Sequence, residues 1–113
     1  PLEAFRISRD SAYQRDMAAL ETLISNENTD RAARQSAAEE LQACVALHQA
    51  QLALEGALLT SELAPCCAVV MDGSVTIVTE KQEITEQDTA LVLTLVQVHT
   101  GVPASGVRIM TAQ

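Results

Sequence analysis

The stretch Cys66-Cys67-Ala68-Val69-Val70-Met71-Asp72-Gly73-Ser74-Val75-Thr76-Ile77-Val78-Thr79 decides the fold. Two β-prone runs flank Asp72-Gly73, and a two-residue Asp-Gly connection is a strong short-range hairpin signal. The turn expected there is type I′, which needs positive φ at both central residues. It pairs Met71 with Ser74, Val70 with Val75, Val69 with Thr76 and Ala68 with Ile77. Side chains alternate along a strand. One face therefore carries Cys66, Ala68, Val70, Val75 and Ile77, and the other carries Cys67, Val69, Met71, Thr76 and Val78. A bulged turn would exchange these sets.

Downstream of the hairpin, Thr85 with Asp88 three residues on reads as a capping box, although the usual partner is Glu or Gln. It opens a helix that places Leu91, Val92, Leu95 and Val98 or His99 toward the sheet. The β-branched content leaves a strand reading open. The segment's length, its cap and the following Gly101 favour the helix. After Pro103, residues 107–112 read as a strand with Val107 and Ile109 on one face and Arg108 and Met110 on the other.

Upstream, the spacing of Tyr13, Met17, Leu20 and Ile24 is one helical stripe, so a first helix runs from about Leu2 or Glu3 to Ser25. Its half up to Ala12 is mostly polar and is expected to project beyond the core. Asn26-Glu27-Asn28 breaks the pattern. Thr29 or Asp30 caps a second helix, which carries Ala33, Ala37, Leu41, Cys44, Val45 and His48 on one side. That pattern continues through Leu52, Leu54 and Leu58 to about Glu62, with Gly56 as a candidate bend. Pro65 cannot continue it and biases Ala64 away from α.

The element order is thus ααββαβ, an α+β domain. A right-handed crossover after the hairpin most simply sets the last strand beside the first, giving a three-stranded sheet of order 2-1-3 with helices mainly on one face. Strands two and three then have free edges, a route to strand addition by a partner. The other face offers Cys67, Val69, Met71, Val78 and Met110 as an apolar strip, bordered by Thr76 and Arg108. The competing packing has the long first helix lying over that strip. If the strip is open, charges at Met71 and Val78 leave the fold intact and abolish partner binding.

The chain has 113 residues and forms one domain, 1–113, with 1–28 as a projecting first helix and 29–113 as the core. Apolar residues make up 48% and aromatics 2%, the latter being Phe5 and Tyr13. A core so poor in rings gains from contacts with neighbours. The net charge is −8. Residues 1–35 hold five Arg against six acids, whereas 36–113 hold only Lys81 and Arg108 against nine acids. Such a surface repels phosphate backbones and argues against nucleic-acid binding. It keeps a small domain soluble and would also suit a basic protein partner. No apolar run approaches the roughly 18–20 residues of a membrane span. The first residue is Pro1 rather than Met, which fits a processed product or a piece of a longer chain, so an upstream anchor is compatible with what is seen.

Catalytic motifs are not found: there is no G-x-S-x-G, no Gly-rich phosphate loop and no H-E-x-x-H. Cys44 and His48 stand at i, i+4 on one helix, but zinc needs about four converging ligands. The plainer reading has Cys44 in the core, His48 half-exposed, and His99 answering the helix dipole. Glu39 and Glu40 are adjacent on a helix and diverge. Cys66 and Cys67 point to opposite faces, so all three cysteines read as free thiols. No metal and no cofactor is called for.

The order and spacing of several patterns resemble the extracytoplasmic domain of the stage III sporulation protein AH family. They are Phe5-Arg6 opening an Arg-rich helix, Leu20 to Ile24 closing it, the Asn26–Asp30 break, and an Ala-rich helix ending near Glu55 and Leu58-Leu59. Val69-Val70, Asp72, Val75–Val78, Ile84-Thr85, Gln87, Val96, Thr100-Gly101 and Val107-Arg108-Ile109 complete the match. The departure is Ala64-Pro65-Cys66-Cys67, where that family usually has a Gly-aromatic pair. The resemblance implies a fold similar to the ring-building domains of type III secretion and flagellar basal-body proteins, and an upstream membrane-spanning helix. It implies a place between mother-cell and forespore membranes and binding to SpoIIQ, a forespore protein with a LytM-like domain, in a channel-like homo-oligomeric or mixed ring. No catalysis is implied.

The reading is a non-enzymatic assembly module. Its expected contact residues are Val69, Met71, Thr76, Val78, Arg108 and Met110, with Phe5, Arg6 and Arg9 at the projecting start of the first helix. The alternative is a small-molecule-sensing regulatory α/β domain. A KH-like nucleic-acid-binding domain would need a basic groove and a Gly-rich loop, and a hydrolase would need a nucleophile and base.

Overall fold

A computed structural model describes residues 2–112. The elements run α1 (Leu2–Ser25), α2 (Arg31–Leu58), β1 (Cys66–Met71), β2 (Ser74–Thr79), α3 (Glu86–Thr100), a 3-10 turn (Ala104–Gly106) and β3 (Val107–Thr111). Asp30 caps α2 by accepting from the Ala33 amide, which satisfies a donor that has no partner inside the helix. The helix continues through Gly56 and ends at Leu58, a turn earlier than the apolar pattern predicts. Its last carbonyl groups are taken up by backbone bonds from Leu59 and Ser61 and by the Ser61 hydroxyl.

The hairpin has the register expected from the Asp-Gly turn, with Met71 opposite Ser74 and Cys66 opposite Thr79. Its turn differs from the expectation. Gly73 has φ 79°, but no non-glycine residue among those described has positive φ. Asp72 is therefore on the ordinary side, the φ pattern of a type II turn rather than type I′. Two residues still connect the strands, so the facing sets are unchanged.

The strand order is β1-β2-β3, with β3 parallel to β2. The expected order 2-1-3 is corrected: β2, not β1, is central. β2-α3-β3 is a compact parallel crossover unit, and its second strand docks on the neighbour it leaves from. The outer edge of β1 is not available to β3 because side chains of α1 and α2 already occupy it. The edges are therefore β1 and β3, not strands two and three.

The main core lies between the sheet and the helices of one face. Leu54 and Leu58 of α2 and Val92 and Val96 of α3 pack on Cys66, Ala68, Val70, Val75 and Ile77, with Leu63 and Val102 closing the cluster. This is the inward set expected from alternation. Val107 and Ile109 of β3 lie against the same cluster. Gly106 is needed where the 3-10 turn meets the hairpin, since a Cβ there would stand 2.5 Å from the Gly73 carbonyl oxygen. Burying these aliphatic side chains is the main favourable term; truncating a fully buried Leu typically costs about 2–5 kcal/mol.

α3 is held at both ends. Thr85 and Asp88 form the reciprocal capping box, and Gly101 closes the C-terminus in the left-handed conformation. The Asp88 carboxylate also accepts from Lys81 Nζ at 2.6 Å. Lys81, then the Thr85 amide, hold the Asp88 carboxyl below its ordinary range. A group that releases its proton more readily when folded stabilises the fold above its unfolded pKa, about 3.9 for Asp, and loses that contribution as pH falls through the depressed folded value. We expect urea stability to fall on acidification below about pH 4 and the Asp88→Asn variant to lose less across that window. Equal slopes for the two proteins would remove Asp88 from the acid response.

Candidate interaction surface

The register sets the second face out in cross-strand rows. Cys67, Val78 and Met110 form one row, Val69, Thr76 and Arg108 the next, and Met71 with Ser74 the last. The first row is partly covered. Leu2 at the start of α1 packs with Cys67, Val78 and Ala112 in a small second core. Val78 is 1% exposed, so it is not part of an open strip. The rest is accessible: Met71 is 59% exposed and Met110 41%, Arg108 is exposed, and Val69 and Thr76 are half-buried. Met71, Arg108 and Met110 are thus the exposed part of this face, which ends where Leu2 caps it.

The start of α1 does not project, contrary to the sequence expectation. Arg6 donates to the Cys66 carbonyl at 2.9 Å and Arg9 to the Ala68 carbonyl at 3.0 Å. Arg9 also pairs with Glu55 of α2 and stands 3.3 Å from Cys67 Sγ. Its side chain is only 10% exposed. Phe5 remains exposed beside them. Of its polar residues, Arg6 and Arg9 meet main-chain carbonyl groups at the edge of β1, whereas Glu3, Ser8, Asp10 and Ser11 are exposed. It is the opposite end of α1, with the first turns of α2, that carries the helical hairpin away from the sheet and gives the molecule its 53 Å long axis. Arg34 ties that end together by donating to the carbonyl groups of Ile24, Asn26 and Thr29.

Two further side chains complete the β1 edge. Glu55 accepts from the Ala68 amide at 3.3 Å, and Gln51 accepts from the Val70 amide at 3.1 Å. Neither stands out in isolation. The available signal was their i, i+4 spacing on a stretch of α2 otherwise flanked by the half-buried Leu47 and the buried Leu54 and Leu58. Gln51 is itself buried, and among the described residues every buried side-chain polar atom has a partner.

The cysteines are free thiols that burial makes harder to ionise. Burial pushes the Cys66 thiol up to about 11, with Glu55 adding to it and Arg6 opposing. Burial raises Cys67 as well, against the pull of Arg9. Both are protonated thiols at neutral pH and thus poor nucleophiles. Cys44 is half-buried, and His48 stacks on Tyr13 with ring centroids 3.9 Å apart and planes within 9°. These side chains line a cleft of about 280 Å³ between the two long helices and β1. Among the described residues there is no group of three or more His, Cys, Asp or Glu side chains able to hold a metal. No helix among them is long and apolar enough to cross a membrane.

The fold is thus an α+β domain, a small mixed sheet with α2 and α3 on one face and a second face that Leu2 of α1 covers in part. The chain belongs to the SpoIIIAH-like protein family, whose model matches residues 2–109. A comparison with curated proteins gives no match. In fold the chain is similar to one in a solved structure described as the SpoIIQ-SpoIIIAH pore forming complex. The TM-score is 0.83 at 12% identity, over 96% of this chain and 94% of that one.

Substitution separates the covered and open parts of this face. Val78→Glu buries an unpaired charge and is expected to lower stability by several kcal/mol. Met71→Glu changes it by less than about 0.5 kcal/mol. Urea unfolding followed by circular dichroism measures both. Similar losses for the two variants would show that Met71 is covered as well.

Proposed function

We propose that this domain is a non-enzymatic assembly module of endospore formation that binds a SpoIIQ-like protein carrying a LytM-like domain. Its place is the space between the mother-cell and forespore membranes, to which an anchor elsewhere in the parent protein would tether it. The observation that carries this reading is membership of the SpoIIIAH-like family over residues 2–109. The likeness in fold to a chain of the SpoIIQ-SpoIIIAH complex supports it. So does the geometry. Met71 and Met110 are exposed thioether side chains on a rigid sheet, and Arg108 lies between their rows. Flexible Met side chains beside a cation adapt well to a protein surface. We assign Val69, Met71, Thr76, Arg108 and Met110 to the contact, with Phe5 at its margin. Neighbouring copies would use further surface of the same small domain to build a homo-oligomeric or mixed ring.

Titration calorimetry of the domain with the LytM domain of a SpoIIQ-like protein from the same organism tests this. Wild type is expected to form a saturable complex. Met71→Glu/Met110→Glu, folded by circular dichroism, should bind at least about tenfold more weakly. Leu23→Glu, on the far helical hairpin, should bind as wild type does. No complex with wild type would overturn the partner. Wild-type affinity in the double variant would move the contact away from the open face.

A further inference from the structure

The cleft between the two long helices and β1 adjoins the open face, because Val69 and Met71 border both. Its shape follows from how α1 meets the strand. Leu2 packs on Cys67, Arg6 bonds the Cys66 carbonyl and Arg9 bonds the Ala68 carbonyl, so α1 and β1 run side by side in the same direction. From Arg9 to Asp16 the helix advances about 10 Å. From Ala68 to Asp72 the strand advances about 13 Å. Asp16 and Asp72 both line the cleft, and this matched advance sets them at its outer end, two helical turns from Arg9.

The two ends differ in charge. At the inner end the Arg9 guanidinium is answered by Glu55 and Asp10. At the outer end neither Asp16 nor Asp72 has an ion-pair partner among the described residues, and both are exposed. The Asp16 charge is felt inside the cleft: after burial itself, it is the cause that raises the Cys44 thiol. Between the ends the lining is apolar, from Ala12, Leu47, Val69 and Met71, with the Tyr13–His48 stack beside them. An apolar trough of about 280 Å³ with free carboxylates at one end fits a side chain that has a long aliphatic stem and a cationic head. A partner seated on Met71 lays such a stem across Val69 and Met71 and brings its head between the two carboxylates. Arginine suits this place better than lysine. Its planar fork donates to two carboxylates at once, and it sheds water more readily than an ammonium group. The net charge of −8 adds a long-range attraction for such a group.

We propose that this cleft receives an arginine side chain of the partner that docks on the open face, with Asp16 and Asp72 holding its guanidinium. The source of the arginine rests on the partner reading under Proposed function, whereas the affinity of the cleft for the group is a property of this chain alone. Two measurements keep them apart.

The first is a nuclear magnetic resonance titration of the isotope-labelled domain with the capped peptide acetyl-Gly-Arg-Gly-amide. Saturable shifts are expected at Asp16, Val69, Met71 and Asp72, with a dissociation constant on the order of millimolar, since a single exposed ion pair contributes little. The lysine peptide should bind more weakly, and the uncharged citrulline peptide should leave these signals in place. Asp16→Asn/Asp72→Asn, folded by circular dichroism, should lose the response; asparagine is well tolerated in turns. Shifts that are absent, that persist in the double variant or that are equal for lysine would overturn the proposal. The second is calorimetry with the LytM domain of the SpoIIQ-like protein. The double aspartate variant should bind at least about tenfold more weakly than wild type. Glu39→Gln/Glu40→Gln, which removes the same charge from exposed positions near the start of α2, should bind as wild type does. A complex that the aspartate variant does not weaken, or that the glutamate variant weakens as much, would overturn the arginine contact and leave the partner standing. No complex with wild type would overturn the partner, and the peptide titration would still decide the cleft.

Discussion

An edge strand exposes amide and carbonyl groups that water, another strand or side chains must satisfy, and β1 depends on the third solution. Arg6, Arg9, Gln51 and Glu55 reach its outer groups from two different helices. This constraint organises much of the molecule. It docks the start of α1 beside the sheet and fixes the rotation of α2 so that Gln51 and Glu55 meet the strand while Leu54 and Leu58 meet the core. It also leaves β2 as the strand that β3 joins. Charge-assisted bonds to main-chain carbonyl groups are stronger than neutral ones, and the half-buried setting limits their screening.

The core built on this frame is aliphatic throughout. Its fully buried side chains are Leu, Ile, Val, Thr and Cys, and both aromatic residues lie outside the main cluster. Along α1 the stripe of Tyr13, Met17, Leu20 and Ile24 is legible in the sequence, and on α2 Ala37 is buried. Those four are only half-buried, so the helical hairpin is held by many shallow contacts, a Tyr13–His48 stack and the Arg34 clamp at its tip. The compact part of the domain is the sheet with its covering helices, and the hairpin extends from it.

Two surfaces of different character result. The open face offers side chains, chiefly the exposed Met71 and Met110. The β1 edge is main chain, its outward groups bonded by Arg6 and Arg9 of α1 and by Gln51 and Glu55 of α2.

Much of this was legible in residue order alone. Asp72-Gly73 between two β-prone runs determined the hairpin and its register, because a two-residue connection allows no slippage. Thr85 with Asp88 and Gly101 determined α3, because caps act through neighbours three or four residues away. The alternation of β1, β2 and β3 separated the core-facing set from the outward set. Contacts distant along the chain were decided only in three dimensions. Arg6 and Arg9 looked like solvated residues on a projecting helix because their partners lie about sixty residues away on a strand edge. Val78 looked open because nothing local shows that Leu2 would cover it. The order β1-β2-β3 needed the knowledge that one edge was already taken. Local bonding is written in adjacent residues, whereas the filling of an edge or a face depends on which remote side chains the packed helices bring within reach.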